Sequence, residues 1–163
     1  MKTNWIVLSL TFSISICILW SANGIGGSDP CALLSTAEAE ELLGEPVNAP
    51  KPTDSGNPLG QKLCFYSASS SNRFIQISIL RTEEMSKKVR DHGQSAPSVY
   101  RTTKEMLDPV RAVPGVGDDA CWGTPGLHIL KGSAYVVIGV GNTDKTENLE
   151  LARRIAAKVL DRL

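Results

Sequence analysis

The stretch "AYVVIGV", residues 134–140, constrains the fold of this chain more than any other. Its odd and even positions are both apolar. Successive side chains of a strand point to opposite faces, so a strand built from this run has no face to offer water. Such a strand belongs in the middle of a sheet, covered on both sides. Gly132-Ser133 just ahead of it fits a tight turn from "LHILK", which makes the two segments an antiparallel hairpin. The rest of the chain must supply flanking strands and the layers that cover them.

The covering layers are legible as helices. In "DPCALLSTAEAEELLGEPV", Ser35 and Glu38 have capping-box spacing, the serine accepting from a free backbone N–H while the glutamate reaches back. Ala, Leu and Glu carry this helix to Leu43, Gly44 ends it, and Pro46 follows closely. At the far end, "TDKTENLELARRIAAKVLDRL" sets Ala152, Ile155, Ala156, Val159 and Leu163 in one apolar stripe, so that helix packs on the sheet. Asp144, with Glu147 three residues on, is its expected cap. Over 83–107 the pattern is helical too, but Gly93 and Pro97 interrupt it. Two pieces meeting near "GQSAP" are expected.

Strands fill the gaps. "KLCFYSAS" and "RFIQISILR" flank the polar "SSN" and read as a hairpin, in which Ile75, Ile77 and Ile79 alternate with Gln76 and Ser78. Residues 45–60 hold four prolines and two glycines and read as an exposed loop. The order helix, strands, helices, strands, helix predicts an α+β sandwich, an antiparallel sheet of about five strands packed by helices.

With 163 residues, 42 % of them hydrophobic, the chain can bury a core as one domain. Its formal net charge is zero and no Lys/Arg run exceeds two residues, which argues against a nucleic-acid partner. Lys2, the apolar stretch from Trp5 to Trp20 and "SANGIGG" have the three parts of a secretory signal peptide. We place the leader at 1–24, with cleavage after Gly24 (after Gly26 as second choice), and a single α+β domain at 25–163. The destination is extracytoplasmic, periplasmic or secreted. Contact with a membrane would come only through this segment if it stayed uncleaved. Cys17 is a poor lipid-attachment site, because Ile16 precedes it and "ILW" continues the apolar run. Cys31, Cys64 and Cys121 then remain, an odd count in an oxidising compartment. Without CxxC, CxxCH or a His-Cys cluster, no metal and no other cofactor is expected.

The segment "VPGVGDDACWG" comes closest to chemistry. A nucleophilic Cys121 would need its pKa lowered by a cation, a histidine or a helix N-terminus, and Asp118 and Asp119 would raise it instead. If "TPG" is the turn, His128 stands opposite Cys121, and the pair could serve a small extracytoplasmic thiol enzyme. It comes with no oxyanion donor and no positioned third group. In the simpler reading Gly115 and Gly117 make a turn, and Asp118 or Asp119 closes it on its own backbone. Cys121 or Trp122 then enters the core, where a free thiol is inert. His92 sits before Gly93 at a helix end, where the helix dipole favours it. Phe65, Tyr66, Trp122 and Tyr135 lie on strands and need no role beyond packing. No residue is assigned to catalysis.

The opening "DPCALLSTAEAEELLGEPV", the cysteine of "LCFYSAS" and the late "VPGVGDDACWG…LHILKGSAYVVIGV…ARRIAAKVLDRL" together resemble a family. Its members are small secreted or lipid-anchored domains of unknown function, best known from actinobacterial cell-envelope lipoproteins. The resemblance implies an α/β sandwich of the photosystem-II-protein-P or Mog1 type, an extracytoplasmic location, and a disulfide between Cys31 and Cys64. The proline-rich segment 45–60 would let the chain double back to close it. This chain departs from the family in its lack of a lipid-attachment cysteine and in Cys121, where such domains more often carry an aromatic. The expected role is a non-enzymatic envelope domain that binds a protein or a small apolar ligand. The alternatives are the thiol enzyme of Cys121 and His128, or an accessory structural subunit of an envelope complex.

Overall fold

A computed structural model describes residues 29–163; the leader expected at 1–24 and Cys17 lie outside them. A 3-10 turn, Pro30–Ala32, leads into α1, Thr36–Leu43. The capping box of Ser35 and Glu38 is formed at its start, and Gly44 adopts the left-handed conformation at its end. The strands are β1, Lys51–Asp54; β2, Lys62–Ser67; β3, Phe74–Arg81; β4, Arg111–Ala112; β5, Asp119–Gly123; β6, Gly126–Lys131; and β7, Ala134–Gly139. Between β3 and β4 run α2, Lys87–Asp91, and α3, Ala96–Met106; α4, Thr146–Leu160, follows β7. The helical pattern over 83–107 therefore does divide near "GQSAP", and Pro97 stands in the first turn of α3, where its missing N–H costs nothing.

All strands pair antiparallel in one sheet, in the order β1-β2-β3-β7-β6-β5-β4. Two meanders meet where β3 pairs with β7, Ile77 facing Ile138. The strand apolar on both faces is thus the middle one of seven, and Gly132-Ser133 forms its two-residue turn, with Lys131 paired to Ala134. The sheet is wider than the expected five strands. β1 comes from the segment read as loop. All four of its residues are exposed and it contains Pro52, which an edge strand tolerates because one side of it makes no ladder. β4 has two residues, too few to show a period.

One face of the sheet carries Cys64, Tyr66, Ile75, Ile77, Ile79, Leu127, Ile129 and Ile138, all essentially inaccessible to water. Ala39, Leu42 and Leu43 of α1 and Leu149, Ala152, Ile155, Ala156 and Val159 of α4 complete this core. Leu163 packs at its margin, beyond the end of α4. Asp144 does not cap α4. Lys145 is the N-cap residue, and no side chain bonds there. Cys31 and Cys64 are joined by a disulfide, their Cα atoms 5.1 Å apart. The Tyr66 hydroxyl donates to the carbonyls of Leu34 (2.5 Å) and Cys31 (3.2 Å), so bridge and phenol together hold the start of the domain on the sheet. Among the described residues, no helix is long and apolar enough to cross a membrane.

Candidate functional site

The opposite face is built differently. Register places Ser78 beside Val137, Val137 beside His128 and His128 beside Cys121, one row across β3, β7, β6 and β5. Leu80, Tyr135 and Leu130 form the next row. α3 packs over β6 and β7, burying Ala96 and Tyr100 against Cys121 and Tyr135. It leaves a cleft of about 290 Å³. Leu59 and Gln61 line this cleft from the loop before β2, Val99 and Thr103 from α3, and Thr124 and Pro125 from the turn between β5 and β6. That turn lies tightly on the sheet. A Cβ at Gly126 would collide with the Ile138 carbonyl, and one at Gly139 would come within 3.3 Å of the Pro125 oxygen. Only glycine leaves room for the turn to lean over this corner.

Polar groups are buried in the floor. Gln61 Nε2 donates to the Ser78 hydroxyl at 2.7 Å, and Ser78 is 4 % exposed. His128, 2 % exposed, places Nδ1 2.6 Å from the Tyr135 hydroxyl, while its Nε2 is buried with no hydrogen-bond partner. Burial pushes the imidazole below the usual histidine range, and the nearby backbone of Thr124 and Gly123 opposes this. The ring is therefore neutral at neutral pH. Burial also pushes the Tyr135 phenol up to about 12, with the Thr103 side chain opposing. A buried polar atom costs free energy when left unpaired, so the bare Nε2 at this cleft stands out. A wider depression of about 760 Å³ lies between the 56–58 loop and α2, but Ser86, Lys88, His92 and Gln94, which line it, are all exposed. Among the described residues no group of three or more His, Cys, Asp or Glu side chains could hold a metal ion.

The residues singled out in "VPGVGDDACWG" separate. Gly115 and Gly117 do take positive φ, 79° and 61°. Asp118 closes the turn on a neighbouring hairpin and not on its own backbone, accepting from the Gly132 N–H at 2.6 Å and pairing with Lys131. Asp119 pairs with Lys104 of α3 at 2.7 Å. Trp122 enters the first core and its Nε1 donates to the Thr143 carbonyl at 2.7 Å. Cys121 enters the second core, directly opposite His128 as the "TPG" turn implies. The ring nitrogen that finds a partner nevertheless finds Tyr135, not the thiol. Burial raises the Cys121 pKa, against the pull of Tyr100 and Lys104. His92 is exposed at the end of α2, with Nδ1 2.6 Å from the Lys88 carbonyl.

Reading the strands by type alone missed Tyr135, Ser78, Gln61 and Thr103. For Tyr135 a signal existed. The two-residue turn at Gly132-Ser133 fixes Val137 opposite His128, and Tyr135 is then its diagonal neighbour on the same face. For Gln61 and Thr103 there was none, since both come from outside the sheet. Comparison of the chain with protein-family models, curated proteins and solved structures gave no match.

Proposed function

We propose that this protein is an exported, non-enzymatic binding domain of the cell envelope, which takes a small, largely apolar ligand into the cleft above His128. The observation that carries this reading is the buried, unpartnered Nε2 of His128 at a cleft that sets the apolar Leu59, Leu80, Val99, Pro125 and Val137 among polar but uncharged residues. A concave site that combines apolar surface with placed polar groups is the usual form of a small-molecule site, and this volume is at the small end of the range. A Cys121 thiol of raised pKa and an un-ionised Tyr135 count against nucleophilic chemistry at this site. The Cys31–Cys64 bridge supports export, because such bonds persist in oxidising compartments. The sandwich of the photosystem-II-protein-P or Mog1 type remains the finer fold reading, consistent with helices on both faces of an antiparallel sheet.

Two measurements test the proposal. N-terminal sequencing of the native protein should give a start near Ile25 in an extracytoplasmic fraction; a start at Met1 in the cytoplasm would refute export. A fragment screen by amide NMR should converge on Gln61, Thr103, Thr124 and His128. Hits that scatter over the surface, or none, would refute the cleft.

A further inference from the structure

Resting on that reading, we propose that the ligand is an uncharged molecule with an apolar body and one carbonyl-type oxygen, which accepts a hydrogen bond from Nε2–H of His128. Tyr135 is the positioning residue that keeps the proton on that nitrogen. Three observations converge. None of the twelve lining residues is Asp, Glu, Lys or Arg, so an anion or a cation would enter without a counter-charge, and an unpaired buried charge is strongly disfavoured. Leu59, Leu80, Val99, Pro125 and Val137 give an apolar body a surface to pack on. The third concerns the proton. Nδ1 lies 2.6 Å from a hydroxyl that holds its own hydrogen far above neutral pH. When Tyr135 donates to Nδ1, the single ring proton sits on Nε2, and the second ring nitrogen is set by the bond the first one makes. The result is a donor, buried and without a hydrogen-bond partner, on a residue that lines an uncharged cleft. Its complement is an ester, amide or ketone oxygen.

Ring ¹H–¹⁵N correlation spectra of the intact protein should show His128 as the Nε2–H tautomer. A Nδ1–H tautomer would overturn the inference. Four probes that share a phenyl ring then separate the classes: methyl benzoate, benzoate, benzylamine and toluene. Methyl benzoate should shift the His128 ring resonances and bind about tenfold or more tightly than the other three, the factor that an unpaired buried donor or charge costs. Benzoate or benzylamine binding as well as the ester would overturn the neutral-acceptor class while leaving the cleft a binding site. If no probe perturbs the cleft, the binding reading falls and this inference with it. His128→Phe should abolish the preference for the ester over toluene without abolishing toluene binding. Tyr135→Phe should release the ring to a tautomer mixture and reduce the same preference several-fold, with amide spectra elsewhere unchanged. An ester preference that survives both substitutions would overturn the assignment of His128.

Discussion

The two faces of the sheet are covered by different kinds of surface. On the first, two helices, a disulfide and a row of isoleucines leave nothing polar unpaired at the centre, and even the Tyr66 hydroxyl has two carbonyl partners. On the second, α3 packs over β6 and β7 while Gln61 reaches Ser78, and Ser78, Cys121, His128 and Tyr135 are all buried, with His128 Nε2 lacking a hydrogen-bond partner. Hydrophobic burial scales with apolar area removed from water, so the first face supplies most of the stability. The second is then free to keep a cleft and unmatched polar atoms, a pattern expected where binding, and not packing, sets the residue types.

The largest test of this division is Ile77→Ala, at the centre of the first face and fully buried. It should cost about 3–5 kcal/mol. Val137→Ala, on the other face of the neighbouring strand, should cost about 1.5 kcal/mol, the worth of its lost methyl groups. Urea midpoints at constant slope give both values, and equal losses would show that the faces share the load. Next comes the bridge. Replacing Cys31 and Cys64 together by Ala should lower stability by about 2–4 kcal/mol, since it frees a loop spanning 33 positions in the unfolded chain. A loss below 1 kcal/mol would mean that α1 and Tyr66 hold the start of the domain unaided.

Cys121→Ser should cost about 1–2 kcal/mol, because a hydroxyl enters an apolar site. In the native state the thiol should resist iodoacetamide at neutral pH and react freely after denaturation. Fast alkylation of the folded protein would return the pair Cys121 and His128 to consideration as chemistry.

The smallest effects separate the faces by pH. His128 has its folded pKa below the ordinary value of 6.5, so the unfolded chain binds its proton first. Stability must then fall as pH drops below about 6.5. Glu38, gripped by Arg162 through two 2.7 Å bonds and by the Ser35 backbone, is held far below its ordinary value of 4.5. Its contribution is present above pH 4.5 and is lost as pH falls further. His128→Phe should flatten the upper window alone and Glu38→Gln the lower alone, the latter costing at most about 1 kcal/mol at neutral pH because the pair is near the surface. A profile in which either substitution flattens both windows would contradict this assignment.

Much of the architecture was legible where its cause is local. The Ser35 capping box, the split before Pro97, the alternation at Ile75, Ile77 and Ile79 and the turn at Gly132-Ser133 each depend on residues a few positions apart. The same turn arithmetic brought Cys121 and His128 together correctly. It did not reveal the partner of His128, because choosing between a thiol opposite and a phenol on the diagonal needs side-chain geometry that register does not carry. Asp144 shows the limit from another side. Its spacing to Glu147 suits a cap, but Asn142 Oδ1 accepts from its backbone N–H at 2.8 Å and the turn runs on to Lys145.

The sequence alone therefore determined the α+β class, both ends of α1, both hairpins and a central strand that needs cover on both sides. Each follows from periodicity and turn chemistry within a window of about ten residues. Only the tertiary structure decided that β3 and β7 join two meanders, that β1 and β4 extend the sheet at its edges, and that α3 packs over β6 and β7. Edge strands carry no burial pattern to read, and a cleft is the space left between elements distant in the chain. Its floor of His128, Tyr135 and Ser78 and its walls of Gln61 and Thr103 come together only because long-range packing places them there.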